Sequence, residues 1–493
     1  MNPGPIGFRL DDAWIHQVYA RNFFSDGFLS YNNGIPSTGC TSPLWVFCLS
    51  FIYLFLGKGS AVDTLVFAAY GLGVIFYCLV VWRSTCLTFE LTQNRFAAIT
   101  GGIMIALATP LAAGSYSGME ISLTCLMLIL AVHTYVKEKW YLSGLFWSLA
   151  FLSRPESLAV FGVGVILLIV FSKDRWKACF KIALPVIGII FLYMLYNYWA
   201  SGLPLPATYY AKKSFSLGDL PIRFYKAFKL QLSQVPPFLF HTIWLLLIGY
   251  LPFRKFTLRF PSVEFPMIAG IVFLIANIAL ISPDDPIAFY HLRYLLPAVP
   301  LLIIGLTIGV FLLGLELGKK YKRATVLLLV FVLMISFFQA MVTIKKVSAH
   351  MHNDVRNINE VQRKIGEWMH YSIPRGTWIA ASDAGAVRYF SELPTIDVMG
   401  LNTPEMLRKN ERFIKEHPVS AFVYIPEWFE PIEKDIFQGR YYENTERYSV
   451  TANWKMNIQW VGVVFKTPSN KPVRIHFKGK SNLALYFLPY PGN

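Results

Sequence analysis

Two adjacent aspartates, Asp11 and Asp12, open the stretch DDAWIHQVYARN, and a histidine, His16, follows them. Neighbouring carboxylates repel each other, and the repulsion is relieved by a metal ion, a cationic side chain or a shared proton. A carboxylate so placed suits a general base that takes a proton from an attacking hydroxyl. One aspartate is enough to cap a helix, so capping accounts for only one of the pair. Asp12 is the expected cap of a helix beginning beside it, which leaves Asp11 as the expected base.

Other residues of the same chemical kinds recur along the chain. SGME (117–120) carries Glu120, SRPE (153–156) carries Arg154 and Glu156, and LPLPATYYAK (203–212) carries Tyr209 and Lys212. HLRYLLPAVP (291–300) contains His291 and Arg293, and SDAGAVRYF (382–390) contains Asp383. Arginine offers a planar fork that matches phosphate oxygens, so Arg293 and Arg154, then Lys212 and His291, are candidates for holding a phosphate. Each has a plainer reading. Arg293 and Lys212 could anchor at lipid headgroups, and Arg154 and Glu156 could pair across the break at Pro155. Glu120 suits a helix N-terminus, and Asp383 is placed to cap a helix. His16 and His291 could join the acids around a divalent metal, yet no ligand spacing such as HxxxH occurs. A metal is compatible with this sequence but not required by it.

The elements that must position these groups are apolar. The chain has 493 residues, 55% of them hydrophobic and 15% charged, with mean hydropathy +0.46 and net charge +16. Soluble domains carry about a quarter charged residues, so this is a membrane composition. No compact basic domain accompanies the positive charge, which excludes a nucleic-acid partner and makes the lipid bilayer the surroundings. The six cysteines are scattered and outline no disulfide framework.

Runs near spanning length fall at 61–82, 96–113, 119–136, 141–152, 156–171, 178–200, 238–253, 265–282, 292–316 and 324–345. The run 141–152 is too short to span alone unless it is tilted, broken or buried. Residues 43–57 form another short run, either a span or a helix at the interface. The positive-inside rule chooses the interface. Then Arg83 and Arg95, Lys137 and Lys139, and Lys173, Arg175, Lys177 and Lys181 share one face with Arg254, Lys255 and Arg259, and with Lys319, Lys320, Lys322 and Arg323. The opposite, extracytoplasmic face collects Asp11–Asp12 and every other candidate motif. Ionisable groups gathered at one membrane edge, with no internal repeat, favour an enzyme over a transporter or flippase of lipid-linked glycans. The intact Asp pair in its motif favours an enzyme over a non-catalytic glycan-binding scaffold as well.

Beyond about residue 346 the composition turns polar. A helical pattern at 353–371, strand-like runs at 377–382, 394–399, 421–426 and 460–466, and a helix at 403–417 predict a small α/β domain. The expected organisation is an external loop with an interfacial helix (1–60), a transmembrane domain (61–345) and an extracytoplasmic α/β domain (346–493).

The segment 11–45, with its Asp pair, YARN, YNNG turn and TSPLW, resembles the first external loop of GT-C glycosyltransferases that use polyprenyl-phosphate sugars. The bacterial and mycobacterial arabinofuranosyltransferase group is the nearest in pattern. SGME, SRPE, LPLPATYYAK, HLRYLLPAVP and SDAGAVRYF follow in the family's order, so the resemblance runs along most of the chain. It implies a membrane all-α GT-C fold of about 10–11 transmembrane helices with a C-terminal extracytoplasmic α/β domain. It also implies a membrane helix ahead of the Asp pair, whereas ten residues precede Asp11 here. The implied reaction is inverting transfer of a sugar from a polyprenyl-phosphate donor to an extracytoplasmic glycan, lipid or protein acceptor. Asp11 or Asp12 would be the base, Arg293, Arg154, Lys212 and His291 would hold the phosphate, and His16, Glu120, Glu156, Tyr209 and Asp383 would line the acceptor cavity.

Overall fold

A computed structural model describes residues 5–211, 217–219, 221–223, 225, 263–280, 293–409, 419–424, 451–453, 459–466, 472–479 and 484–487. The expected span 238–253, its flanking cations Arg254, Lys255 and Arg259, and the candidates Lys212 and His291 lie outside these residues.

The described helices are α1 (Asp11–Asp26), α2 (Pro43–Leu56), α3 (Val62–Thr92), α4 (Arg95–Ala106), α5 (Thr109–Ser115), α6 (Ile121–Val136), α7 (Trp140–Ser153) and α8 (Ser157–Phe171). They continue as α9 (Arg175–Ser201), α10 (Ala207–Ala211), α11 (Phe265–Leu280), α12 (Val299–Gly318), α13 (Ala324–Ile358), α14 (Lys364–Ser372), α15 (Ala386–Ser391) and α16 (Glu405–Lys409). Four are long and apolar enough to cross a membrane: Val62–Thr92, Arg175–Ser201, Leu296–Gly318 and the first part of Ala324–Tyr371. The protein is a multi-pass membrane protein. The run 96–113, read from sequence as one span, is broken into α4 and α5, which meet at 64°. Pro110 in the first turn of α5 supplies no N–H to continue the ladder, so the apolar run cannot stay straight.

The chain divides into two compact units. One comprises Met1–Ala69, Met194–Lys213 and His350–Asn493, the other Tyr70–Tyr193 and Ser214–Ala349. In the second unit, small residues and hydroxyls join helices where apolar side chains alone would not select a partner. A Cβ on Gly144 would come within 2.3 Å of the Ile182 carbonyl, so α7 and α9 touch backbone to backbone there. Short α7 is therefore held among neighbours, with Trp147 and Ala150 fully buried. Tyr135 donates to the Gly164 carbonyl at 2.7 Å, Ser143 to that of Ala131 at 3.0 Å, and the Thr109 and Thr343 hydroxyls meet at 2.5 Å.

In the first unit, α2 has fourteen residues, about 21 Å at helical rise, less than the ~30 Å hydrocarbon core. One face of α2 buries Trp45, Val46, Leu49 and Tyr53, while Phe47, Phe51, Leu54 and Phe55 stay exposed. Tyr53 donates to Gln17 on α1 at 2.8 Å.

The polar C-terminal region is α/β. A four-stranded sheet runs in the order β4 (Thr395–Asp397), β3 (Trp378–Ala381), β5 (Val419–Tyr424), β9 (Ala484–Phe487), the first three strands parallel and the last antiparallel. A second, antiparallel sheet joins β6 (Thr451–Asn453), β7 (Gln459–Lys466) and β8 (Pro472–Gly479). A small hairpin, β1 (Ser30–Asn32) with β2 (Ile35–Pro36), carries the YNNG turn, where Gly34 adopts φ +75°. The helix read at 353–371 is the continuation of α13. A single π turn, Asn359–Arg363, joins α13 to α14 without ending the helix. Of the helix read at 403–417, Glu405–Lys409 is described.

Candidate functional site: a carboxyl pair and a buried arginine cluster

Helix α1 is seated by its aromatic and amide side chains. Trp14 is buried against Phe8, Tyr389 and Phe390, at ring-centroid distances of 4.9, 4.9 and 4.7 Å. Asn22 donates to the Ser30 and Tyr31 carbonyls, both at 3.1 Å, which ties the YNNG hairpin to the same helix. The Tyr31 hydroxyl donates to the Ala384 carbonyl at 2.6 Å, and Tyr19 contacts Ser37 and donates to Asn402. These bonds fix the first turn of α1 against the SDAGAVRYF segment.

That seating decides the role of the aspartates. Neither caps its own helix: the N-cap of α1 is Leu10, with no side-chain cap. The expectation that Asp12 caps α1 is therefore corrected, because the helix already includes Asp11. Asp11 instead accepts from the backbone N–H groups of Gly385 and Ala386, each at 2.6 Å. It takes the place at the start of α15 that Asp383 was expected to fill. The glycine is required: a Cβ on Gly385 would fall 2.1 Å from the Asp11 carbonyl oxygen and 2.6 Å from its Oδ2.

Asp383 turns the other way. It accepts from Gln362 Nε2 at 2.8 Å, a side chain that the π turn presents, and it hydrogen-bonds the Asp11 carboxyl. Burial, and then the Asp383 carboxylate, hold Asp11 well above the usual carboxylate range, against the opposing pull of the two N–H groups. Burial also raises Asp383, with Asp12 adding negative charge, while the bonds from Asp11 and Gln362 lower it. The two carboxyls are hydrogen-bonded to each other and titrate as a pair rather than independently. Asp11, Asp12 and Asp383 are all half-buried, so the pair is not sealed from solvent.

Asp397 is a further acid that sequence reading passed over. It accepts from the Met399 and Asn402 backbones and from Asn402 Nδ2, and burial pushes it up to about 6. Its bonds make it the organiser of the turn after β4. His16 is buried in α1, and Tyr209 is half-exposed on α10. Among the described residues no group of three or more His, Cys, Asp or Glu side chains could hold a metal ion.

The second unit holds a separate cluster. Arg154 Nη2 lies 2.6 Å from Glu120 Oε1, and both side chains are buried. The Arg154–Glu156 pair that the sequence allowed is therefore not the contact. Glu156 adds negative potential at the Arg154 guanidinium, but Glu120, at the start of α6, is the contact. Arg154 and Arg293 both lie over the Tyr294 ring, at 4.5 and 4.8 Å, and Arg293 donates to the Tyr294 hydroxyl at 3.0 Å. The structure thus gathers Asp11, Asp12 and Asp383 in one unit, and Glu120, Arg154, Glu156 and Arg293 in the other. Sequence reading missed Gln362, Gly385, Arg388 and Tyr294. The only signal for them was their place inside or beside motifs already noted.

Two solved structures of ArnT from Cupriavidus metallidurans resemble the chain. The apo form matches with 12% sequence identity and a TM-score of 0.52, covering 85% of this chain and 89% of that one. The form bound to undecaprenyl phosphate matches with 12% identity and a TM-score of 0.53, covering 91% and 92%. The chain has the GT-C fold, as the ordered motifs implied. Residues 353–478 match a family described as a domain of unknown function, DUF8728. No curated protein matches the chain.

Proposed function

We propose that this protein is an inverting glycosyltransferase that moves a sugar from a polyprenyl-phosphate donor to an extracytoplasmic glycan, lipid or protein acceptor. The observation that carries the reading is the Asp11–Asp383 carboxyl pair, half-buried and pinned by the N–H groups of Gly385 and Ala386. A carboxylate raised above the ordinary range is a stronger base than an ordinary one, and fixed N–H donors hold it in one orientation. The GT-C fold and the undecaprenyl phosphate bound by ArnT support a lipid-phosphate donor.

In this reading the acceptor hydroxyl gives its proton to Asp11 while its oxygen bonds to the anomeric carbon. The bond from that carbon to the phosphate oxygen breaks, and polyprenyl phosphate leaves with the electron pair. A single displacement of this kind inverts the anomeric centre. The leaving phosphate needs no proton but does need positive charge. Arg293 supplies it, and Arg154, fixed on Glu120, orients the shared Tyr294 ring. Lys212 and His291 are assigned to the same phosphate. Asp12, His16, Glu156 and Tyr209 are assigned to the acceptor cavity.

Purified protein given a synthetic polyprenyl-phosphate sugar tests the reading, with arabinofuranosyl donors first in the panel because of the motif resemblance. Asp11→Asn should lower transfer by about 10²–10⁴-fold while donor binding persists. Wild-type transfer by the Asp11→Asn, Asp12→Asn double variant would overturn it.

A further inference from the structure

Arg388, on α15, is 2% exposed. A guanidinium carries five N–H donors. Nη2 gives one to Asn33 Oδ1 at 3.1 Å, while Nε and Nη1 find no acceptor among the described residues. Burial, with Arg21 beside it, brings Arg388 down to about 10, still a cation at neutral pH. Glu392 is the anion in its surroundings, but it lies 3.5 Å from Arg21 and is half-exposed. A buried cation with unmet donors is costly, and a bound oxyanion would offset that cost.

Its neighbours indicate the ligand. The Asn33 amide at the tip of the YNNG turn is exposed and sets the rim. The Tyr31 ring, 6.0 Å from the guanidinium, forms a wall. Tyr31 also lies within electrostatic reach of Asp11, and its hydroxyl donates to the Ala384 carbonyl, next to the Gly385 N–H that holds Asp11. We infer that Arg388, with Asn33 and Arg21, forms an oxyanion pocket that holds a carboxylate or phosphate group of the acceptor next to the hydroxyl that Asp11 deprotonates. The acceptor as source of the anion rests on the glycosyl-transfer reading; the pocket itself does not.

Full-length protein in lipid nanodiscs, titrated calorimetrically with inorganic phosphate and separately with glucuronate, tests the pocket and tells the two oxyanions apart. The expected result is saturable binding of one of them, weakened at least tenfold in Arg388→Gln and several-fold in Asn33→Ala. The second variant lies on an exposed turn, so it keeps the question answerable if loss of Arg388 unfolds the protein. No binding of either anion to folded wild type at ~10 mM, or unchanged binding in Asn33→Ala and Arg388→Lys, would overturn the pocket. The acceptor assignment is read in a transfer assay that compares an acidic acceptor with its neutral analogue. Arg388→Lys should raise KM about tenfold for the acidic one and leave the neutral one near wild type; equal effects on both acceptors would sink that assignment. If wild type binds the anion yet transfers sugar to no acceptor, the pocket stands and the transfer reading falls.

Discussion

The carboxylate of Asp11 is held at 2.6 Å by the backbone N–H of Gly385, a residue that can approach so closely only because it lacks a side chain. Acidic groups on exposed helix ends are usually free to rotate. This one has both oxygens engaged by adjacent peptide groups, with the remaining capacity directed at Asp383.

Gly385→Ala should therefore damage the base without touching its chemistry. The added methyl must displace Asp11 or the start of α15, a cost of about 1–3 kcal/mol as overpacking. Thermal unfolding of the purified protein should shift downward, and transfer should fall along with it. A variant with wild-type stability and rate would show that the close approach relaxes freely.

The carboxyl pair gives a pH signature. Asp11 works as a base only when deprotonated, so the acid limb of kcat/KM should lie above the ordinary carboxylate range near 4. Asp383 raises Asp11. Asp383→Asn should therefore release the Asp11 proton more easily and move the limb to lower pH. The stability sign follows from the same shift: a raised carboxyl stabilises the fold below its unfolded value, and that contribution is lost as pH rises through the folded one. An acid limb that stays put in Asp383→Asn, in an enzyme that Asp11→Asn inactivates, would separate the two residues functionally.

Arg154 and Glu120 form a buried ion pair, and removing one partner strands the other. Glu120→Gln and Arg154→Met should each cost about 3–5 kcal/mol, whereas an apolar pair at both positions should recover much of the stability. A double-mutant cycle by chemical denaturation in detergent measures the coupling. Coupling near zero would mean that the contact contributes nothing beyond packing.

Membrane orientation is tested with single cysteines replacing Arg175, Tyr321 and Arg440. In intact cells an impermeant thiol reagent should label position 440 and spare 175 and 321. The reverse pattern would invert the sidedness read from the cation clusters.

Hydropathy made the spans legible, because twenty or so apolar residues have few other uses. It was blind to the break between α4 and α5, which depends on one proline in a run that stays apolar throughout. The Asp pair was legible as chemistry, but its partners were not. Gly385, Gln362 and Arg388 reach the site by tertiary folding, and no local period or spacing encodes that. Arg154 shows the same limit: proximity in sequence favoured Glu156, while helix packing selected Glu120. In the C-terminal domain β6, β8 and β9 were missed, although PVRIHFKG alternates apolar and polar residues as a strand with one apolar face does.

The bond from Gly385 to Asp11 spans 374 positions of the chain, which sets an order of events during synthesis. At roughly 5–20 residues per second, the aspartate emerges on the order of 20–75 s before the peptide groups that will hold it. A ribosome that stops short of residue 386 can deliver apolar segments to the bilayer but cannot deliver a fixed base. In a truncated product the acid pair is left without the N–H groups of Gly385 and Ala386, so the proposed base is fixed only once residue 386 has been made.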